Sequence, residues 1–151
     1  MFVARGKRKT IIHLKLDVAR ILIIEDEPEI RNLLREMLES NGHWIDEAPN
    51  GAVGMQRWRE HSRAQAIDLI ITDILMPEKD GLEVIRAIQR LAPDTKIVVI
   101  SGGSSRLQLP LLDIAARLGA FHTVEKPFTM RTLLAAVNDA LDGKCEAAGG
   151  P

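Results

Sequence analysis

Short runs of apolar, mostly β-branched residues alternate along this chain with segments in which apolar residues recur at helical spacing. The runs are shorter than ordinary helices and end at charged residues, proline or glycine, which is typical of strands buried on both faces of a sheet. We predict strands at Arg20–Glu25, Trp44–Ala48, Leu69–Thr72, Lys96–Ile100 and Phe121–Glu125. Because strand and helix alternate, the sequence predicts an α/β fold: a parallel sheet with helices on both faces, joined by right-handed crossovers.

The intervening segments follow the i, i+3, i+4 spacing of amphipathic helices. We place the helices, in order, at 29–38, about 52–60, 82–91, 111–118 and 130–141. Leu33 and Leu91 belong to the apolar stripes of the first and third helices, and Val53 and Trp58 of the second are expected to face the core. Thr129 has the residue type and position of an N-cap for the last helix.

Length and composition favour one globular domain. The chain has 151 residues, 46% of them hydrophobic and 27% charged, and its formal net charge is -1, so total charge does not indicate a nucleic-acid binder. We expect a basic extension at 1–18, the folded domain at 19–143 and a flexible tail at 144–151. The extension carries Arg5, Lys7, Arg8, Lys9 and Lys15. It is either an arm for an acidic partner, or a solvated extension or overlong start.

The sequence also bears on location. Its single cysteine, Cys145, has no partner for an intramolecular disulfide, which is compatible with a reducing compartment. No run approaches the roughly 18 apolar residues that span a membrane, and the N-terminus lacks a signal-peptide pattern. We therefore expect a cytoplasmic protein that does not interact with membranes.

Chemically distinctive residues stand at the ends of four predicted strands. The first strand ends in Glu25 and Asp26, the third is followed by Asp73, the fourth by Ser101 and the fifth by Lys126. In a parallel sheet these ends share one edge, where open α/β sheets bind their ligands. Clustered carboxylates need a proton or a cation, and an all-oxygen site suits Mg²⁺. An aspartate is also a competent nucleophile at phosphorus, so the set is suited to forming an aspartyl-phosphate held by the hydroxyl and the ammonium.

Each of these residues also has an ordinary structural interpretation. Asp73 alone fits a turn or cap, Glu25 and Asp26 fit a solvated loop, Ser101 fits a turn and Lys126 fits a surface position. Their joint placement at four strand ends is much harder to obtain by accident, and it favours the functional interpretation.

From Ala19 to Gly143 the chain resembles a receiver domain of two-component response regulators. The matching stretches are 21–28 (Ile-Leu-Ile-Ile-Glu-Asp-Glu-Pro), 73–81 (Asp-Ile-Leu-Met-Pro-Glu-Lys-Asp-Gly), 98–102 (Val-Val-Ile-Ser-Gly) and 119–128 (Gly-Ala-Phe-His-Thr-Val-Glu-Lys-Pro-Phe). The resemblance implies a flavodoxin-like (βα)5 three-layer sandwich with a five-stranded parallel sheet of order 2-1-3-4-5.

The resemblance also implies a role for each site residue. Asp73 is the expected phosphoacceptor, and Asp26, Asp73 and the backbone carbonyl of Leu75 are the expected direct ligands of Mg²⁺. Glu25 is expected to act mainly through metal-bound water. Ser101 is the expected switch hydroxyl, and Lys126 is expected to pair with the phosphoryl group and to precede a cis peptide bond to proline.

Three departures from the family pattern stand out. Thr123 occupies the position where relatives commonly carry an aromatic residue that moves with the switch hydroxyl, so an aromatic switch is doubtful here. The segment 101–119 is a few residues longer than usual, which we expect to reshape the surface around the fourth helix. Leu75 and Gly103 stand where relatives can carry polar residues, so we expect an idiosyncratic dephosphorylation rate.

By resemblance, the function is that of a single-domain response regulator and not of a turnover enzyme on external substrates. The expected phosphoryl donor is a sensor histidine kinase or a histidine phosphotransfer protein. No output domain follows residue 143, so we expect the signal to pass to a protein target, or to a homodimer, through the face of the fourth helix, fifth strand and fifth helix. No direct DNA binding is expected. A phosphate-relay intermediate or sink is an alternative within signalling.

Other classes fit less well. A phosphohydrolase that forms an aspartyl-phosphate usually has a second acid two residues after its nucleophile, where this chain has Leu75. A flavin or nucleotide binder would need a glycine-rich loop after the first strand, where this chain has Glu25, Asp26 and Glu27, which would repel phosphate without a metal. A degenerate receiver that acts unphosphorylated as a docking module stays open because of Thr123, although the intact Asp73 and Lys126 argue against it.

Overall fold

The computed structural model describes residues 18–61, 65–76, 81–102 and 108–143. The basic extension except for residue 18, the tail at 144–151 and Gly103 lie outside these residues. The elements are β1 (Arg20–Ile24), α1 (Pro28–Glu39), β2 (Trp44–Ala48), α2 (Gly51–His61), β3 (Leu69–Asp73), α3 (Gly81–Leu91), β4 (Lys96–Gly102), α4 (Gln108–Leu118), β5 (His122–Lys126) and α5 (Met130–Leu141). Each predicted strand and helix is therefore present.

The five strands form one parallel sheet of order β2-β1-β3-β4-β5, which confirms the predicted fold class and strand order. β1 lies between β2 and β3, and β3 is the central strand. β2 and β5 form the two edges. No helix of the described residues is long and apolar enough to cross a lipid bilayer.

The central strands carry continuous apolar runs, at 21–24, 69–71 and 97–100, because helices cover both faces of the sheet. Side chains alternate between faces, so Ile21 and Ile23 pack in one cluster with residues of α1 and α5, whereas Leu22 and Ile24 pack in the other with residues of α2, α3 and α4. Trp58 of α2 is buried in this second cluster, as predicted. The sheet is thus packed between two hydrophobic clusters, which fix the positions of its strand ends.

Two residues of the apolar stripes are exposed. Leu33 of α1 is 40% exposed and Leu91 of α3 is 58% exposed, although both match the helical spacing. In α1 the buried residues are Leu34 and Leu38, and Leu33 lies at the margin of their stripe. Leu91 is the last residue of α3, beyond the part of the helix that packs on the sheet.

The largest boundary error concerns α4, which begins at Gln108 and not at Leu111. Pro110, which precedes the predicted helix at 111–118, is the third helical residue. Proline is tolerated there because the first backbone N–H groups of a helix have no intrahelical acceptor. At α5 the predicted cap is confirmed, since the backbone N–H of Thr132 donates to the Thr129 hydroxyl over 3.1 Å.

Candidate functional site

The ends of β1, β3, β4 and β5 meet at the carboxyl edge of the sheet, as the alternation of strands and helices predicts. β3, β4 and β5 extend further at this edge than expected, so Asp73, Ser101 and Lys126 lie within paired strands and not in the loops that follow. β1 ends one residue earlier than predicted, at Ile24. In the register of the sheet, Asp73 is opposite Ile100 and Gly102 is opposite Lys126. The parallel ladder therefore fixes the backbone of all three residues.

Glu25, Asp26 and Asp73 form one acidic cluster. Each offers a carboxylate oxygen, and these oxygens all lie within 4.8 Å of one another. Glu25 and Asp73 are buried and Asp26 is half-buried. Glu25 and Asp26 follow β1 directly, and they meet Asp73 of β3, 47 or more positions away along the chain, only because β1 and β3 are neighbours.

The ammonium group of Lys126 bridges two of these carboxylates. Its Nζ lies 2.9 Å from Glu25 Oε2 and 2.9 Å from Asp73 Oδ2, and 3.8 Å from Oε1 of the exposed Glu27. The Lys126 side chain is 13% exposed. The lysine is therefore a largely buried counter-ion of the site, and the peptide bond that follows it, to Pro127, is cis as expected.

Glu25 has a partner for each of its polar groups. Its N–H donates to the carbonyl of Ala48, its Oε1 accepts from the N–H of Glu27 and its Oε2 accepts from Lys126. Its carbonyl accepts from the guanidinium of Arg31 over 2.7 Å. Because this carboxylate is already fixed by two donors, it suits the indirect, water-mediated role better than direct binding of a cation.

Burial and charge act in opposite directions on the ionisable groups. Burial raises the pKa of Glu25, and the nearby Asp73 adds to this, although Lys126 and the N–H of Glu27 partly offset it. For Lys126, burial by itself lowers the pKa, but the hydrogen bonds and charges of Glu25 and Asp73 outweigh burial, so its pKa is raised. The lysine is accordingly held in its charged form.

The donor set fits a hard divalent cation. Three carboxylates and one ammonium group leave two negative charges uncompensated, and all the candidate ligand atoms are oxygens. Two oxygens bound to the same Mg²⁺ lie about 3.0 Å apart when cis and about 4.2 Å apart when trans, so carboxylate oxygens spread over up to 4.8 Å would move closer together on binding the ion. In ligand type and charge the cluster is suited to Mg²⁺.

The loop after β3 lies tightly against Asp73. The N–H of Leu75 approaches Asp73 Oδ1 at 3.3 Å, and the N–H of Gly81 donates to the carbonyl of Ile74 over 2.8 Å. A Cβ atom at Gly81 would lie 2.0 Å from the carbonyl oxygen of Asp73, which no side chain can tolerate. Glycine is therefore required where α3 begins beneath this loop. The Leu75 side chain is exposed, which leaves its backbone next to the acidic cluster.

Ser101 and Thr123 lie on the side of the sheet toward β5. Ser101 is 2% exposed and pairs with Glu125, one position before the level of Lys126. Thr123 is half-buried opposite Val99. The structure therefore brings Ser101 to the site edge and puts Thr123 lower on the same pair of strands.

Two neighbours of the site escaped prediction from the sequence. Arg31 holds the Glu25 carbonyl, and Glu27 supplies an N–H to the Glu25 carboxylate. Neither contact has a signal in residue spacing, because both depend on how the β1–α1 loop turns. The sequence hints at these contacts only in that Glu27 and Arg31 lie shortly after the acidic pair, near the start of the first helix.

Comparison with known proteins agrees with this geometry. The family model described as "Response regulator receiver domain" matches residues 21–138. The chain is 33% identical over 124 residues to the chemotaxis protein CheY of Bacillus subtilis (strain 168), which covers 82% of this chain and 98% of that protein.

A longer relative and a solved structure give the same picture. The chain is 33% identical over 136 residues to the DNA-binding transcriptional regulator NtrC of Azospirillum brasilense, covering 90% of this chain but only 27% of that regulator. A crystal structure of a response regulator receiver domain protein from Clostridium thermocellum superposes with a TM-score of 0.77 and 30% identity, over 84% of this chain and 97% of that one.

Proposed function

This chain belongs to the response regulator receiver domain family, and from that premise we propose that it is a switch operated by phosphorylation of Asp73. The observation that carries the proposal is the contact of the Lys126 ammonium with Glu25 and Asp73, 2.9 Å from each, inside a cluster of three carboxylates. A buried aspartate with a fixed cation beside it, at the open edge of a parallel sheet, is suited to accepting a phosphoryl group.

In the proposed reaction a carboxylate oxygen of Asp73 attacks the phosphorus of a phosphohistidine. The new O–P bond forms as the P–N bond breaks, and the histidine nitrogen leaves with the electron pair and is protonated by solvent. The donor is a histidine kinase or a histidine phosphotransfer protein. Bound Mg²⁺, held by Asp26, Asp73 and the carbonyl of Leu75, would neutralise charge on the transferring phosphoryl oxygens.

The residues of the chain supply the remaining stabilisation. Lys126 exchanges its contact with Asp73 for a phosphoryl oxygen, and the nearby Glu25 keeps the ammonium at the site. The buried hydroxyl of Ser101 donates to a second phosphoryl oxygen. Phosphorylation adds about 1.5 to 2 negative charges, so both donors are drawn toward Asp73.

The same response carries the signal outward. Lys126 ends β5 and Ser101 belongs to β4, so movement of either side chain acts on strands that contact α4 and α5. We propose that the α4–β5–α5 face binds a downstream protein, or a second copy of the chain. The receiver unit would comprise residues 19–143 and act in the cytoplasm without binding DNA or membranes.

The test is the intact mass of the protein after incubation with acetyl phosphate and Mg²⁺. We expect the wild type to gain one phosphoryl group, the gain to require Mg²⁺, and Asp73→Asn to gain none. The matched control is Asp68→Asn, because Asp68 accepts from the backbone of Arg20 outside the acidic cluster. This control should be phosphorylated like the wild type.

Two results would contradict the proposal. A phosphoryl group gained equally by Asp73→Asn would place the acceptor elsewhere. A wild type that binds Mg²⁺ but gains no mass with any donor would favour the alternative of an unphosphorylated docking module.

A further inference from the structure

The guanidinium of Arg31 reaches from the first turn of α1 to the backbone of the acidic loop. Its Nη1 donates to the carbonyl oxygen of Glu25 over 2.7 Å, and the Arg31 side chain is only 19% exposed. The helix itself is tied to the same loop, because the N–H of Arg31 donates to the carbonyl of Glu27 over 2.9 Å. Arg31 thus closes a short ring between the end of β1 and the start of α1.

The carbonyl of Glu25 would otherwise have no donor among the described residues. β2 pairs with the N–H of Glu25, which donates to the carbonyl of Ala48, and not with the Glu25 carbonyl. A buried carbonyl without a donor costs free energy, so the contact with Arg31 holds this peptide in one orientation. The same planar peptide unit includes the backbone N and Cα atoms of Asp26, so its orientation sets the direction in which the Asp26 side chain leaves the backbone.

Glu47 on the edge strand β2 holds the arginine from the other side. Its Oε1 lies 3.8 Å from Arg31 Nε, and its Oε2 lies 2.9 Å from Nη1 of Arg35. Oε1 is buried and forms no hydrogen bond with the described residues. No other hydrogen-bond donor among them therefore competes with its attraction to Arg31. Glu47 therefore keeps the guanidinium beside the backbone and away from the carboxylates of the site.

From these contacts we infer that Arg31 is a positioning residue of the metal site: it orients the Glu25–Asp26 peptide so that the Asp26 carboxylate faces Asp73. This inference rests on the proposed function, since it concerns how the chain prepares the same site for Mg²⁺. It assigns no contact between Arg31 and the metal or the phosphoryl group.

The positive charge of Arg31 and its proposed positioning role predict opposite effects on cation affinity when Arg31 is removed. This difference makes the inference testable. Removing a positive charge near an acidic cluster should, by electrostatics alone, strengthen the binding of a cation. Losing the orientation of Asp26 should weaken it. Loss of a group that orients a metal ligand typically weakens metal affinity about 10- to 100-fold.

The experiment is calorimetric titration of the unphosphorylated 151-residue chain with MgCl₂. We expect Arg31→Gln to raise the Kd for Mg²⁺ about tenfold or more. Arg35→Gln is the matched control: it removes the same charge and also contacts Glu47, but it does not touch the Glu25 carbonyl. It should leave the Kd unchanged or lower it. Arg31→Lys, which keeps the charge and one donor, should fall between Arg31→Gln and the wild type.

The outcomes separate this inference from the proposed function. Arg31→Gln binding Mg²⁺ as tightly as the wild type, or more tightly, would overturn the role of Arg31 whether or not Asp73 is phosphorylated. If Arg31→Gln does not fold, an unchanged Kd in Arg31→Lys does the same. A wild type that binds Mg²⁺ but takes no phosphoryl group overturns only the proposed function, and a wild type that binds no Mg²⁺ overturns both.

Discussion

Replacing Asp73 by asparagine should stabilise the protein when no divalent cation is present. The reason is the surplus of negative charge in the acidic cluster. Asp73 is attracted by Lys126 at 2.9 Å, worth about 6 kcal/mol at an effective dielectric constant of about 20. It is repelled by Glu25 and Asp26, each within 4.8 Å, at about 3.5 kcal/mol or more apiece. Repulsion therefore exceeds attraction by about 1 kcal/mol.

Mg²⁺ should reverse this order. A cation at 100 times its Kd stabilises the wild type by about 2.7 kcal/mol. Asp73→Asn loses one of the anionic ligands and should gain much less. We therefore expect the variant to be the more stable protein in EDTA, by about 1 kcal/mol or about 2–4 °C in Tm, and the wild type to be the more stable one at saturating Mg²⁺.

The measurement is urea unfolding followed by tryptophan fluorescence, with EDTA and with MgCl₂. Trp58 is 8% exposed and reports unfolding of the core, whereas Trp44 is 67% exposed and should change little. Asp113→Asn, on the exposed side of α4, is the control and should shift stability by less than about 0.5 kcal/mol in both conditions. An Asp73→Asn protein less stable than the wild type in EDTA would show that the lysine pair outweighs the repulsion, and would refute this reasoning.

Two further predictions concern backbone fit and pH. Gly81→Ala should destabilise the protein by about 2 kcal/mol or more and slow phosphorylation, because its Cβ would lie 2.0 Å from the backbone oxygen of Asp73. Gly54→Ala meets the side chain of Ile24 and not the backbone, so it should cost less, as urea unfolding of both variants will show. Burial lowers the pKa of His43, so its contribution to stability is complete above about pH 6.5 and is lost as pH falls through the lowered pKa. Tm should fall between about pH 7 and 5, and less steeply in His43→Gln; equal slopes would contradict this.

The type and order of the secondary-structure elements followed from the sequence alone. Continuous apolar runs indicate strands covered on both faces, and the i, i+3, i+4 spacing indicates helices. Each pattern follows from the local geometry of the backbone. Once the strands are parallel, their carboxyl ends must share an edge. For that reason Glu25, Asp26, Asp73, Ser101 and Lys126 could be placed together before any coordinates were known.

Local patterns were less informative at the ends of elements. The start of α4 was misplaced because proline is permitted in a first turn and yet is common in loops. Leu33 and Leu91 belong to apolar stripes and yet are exposed, because periodicity records only the direction of a side chain. Whether a neighbouring element reaches far enough to cover that side chain is a property of the packed molecule.

Only the tertiary structure decided how the site is held. Lys126 contacts Glu25 and Asp73 across 101 and 53 positions of the chain, and the position of its ammonium depends on two loops and on the sheet register. The donation from Arg31 to the Glu25 carbonyl depends on one turn of backbone between β1 and α1. Residue types determined which chemistry the site could perform. Packing of the elements determined which atoms meet, because the direction of a side chain at a loop is fixed by contacts that the spacing of residues does not encode.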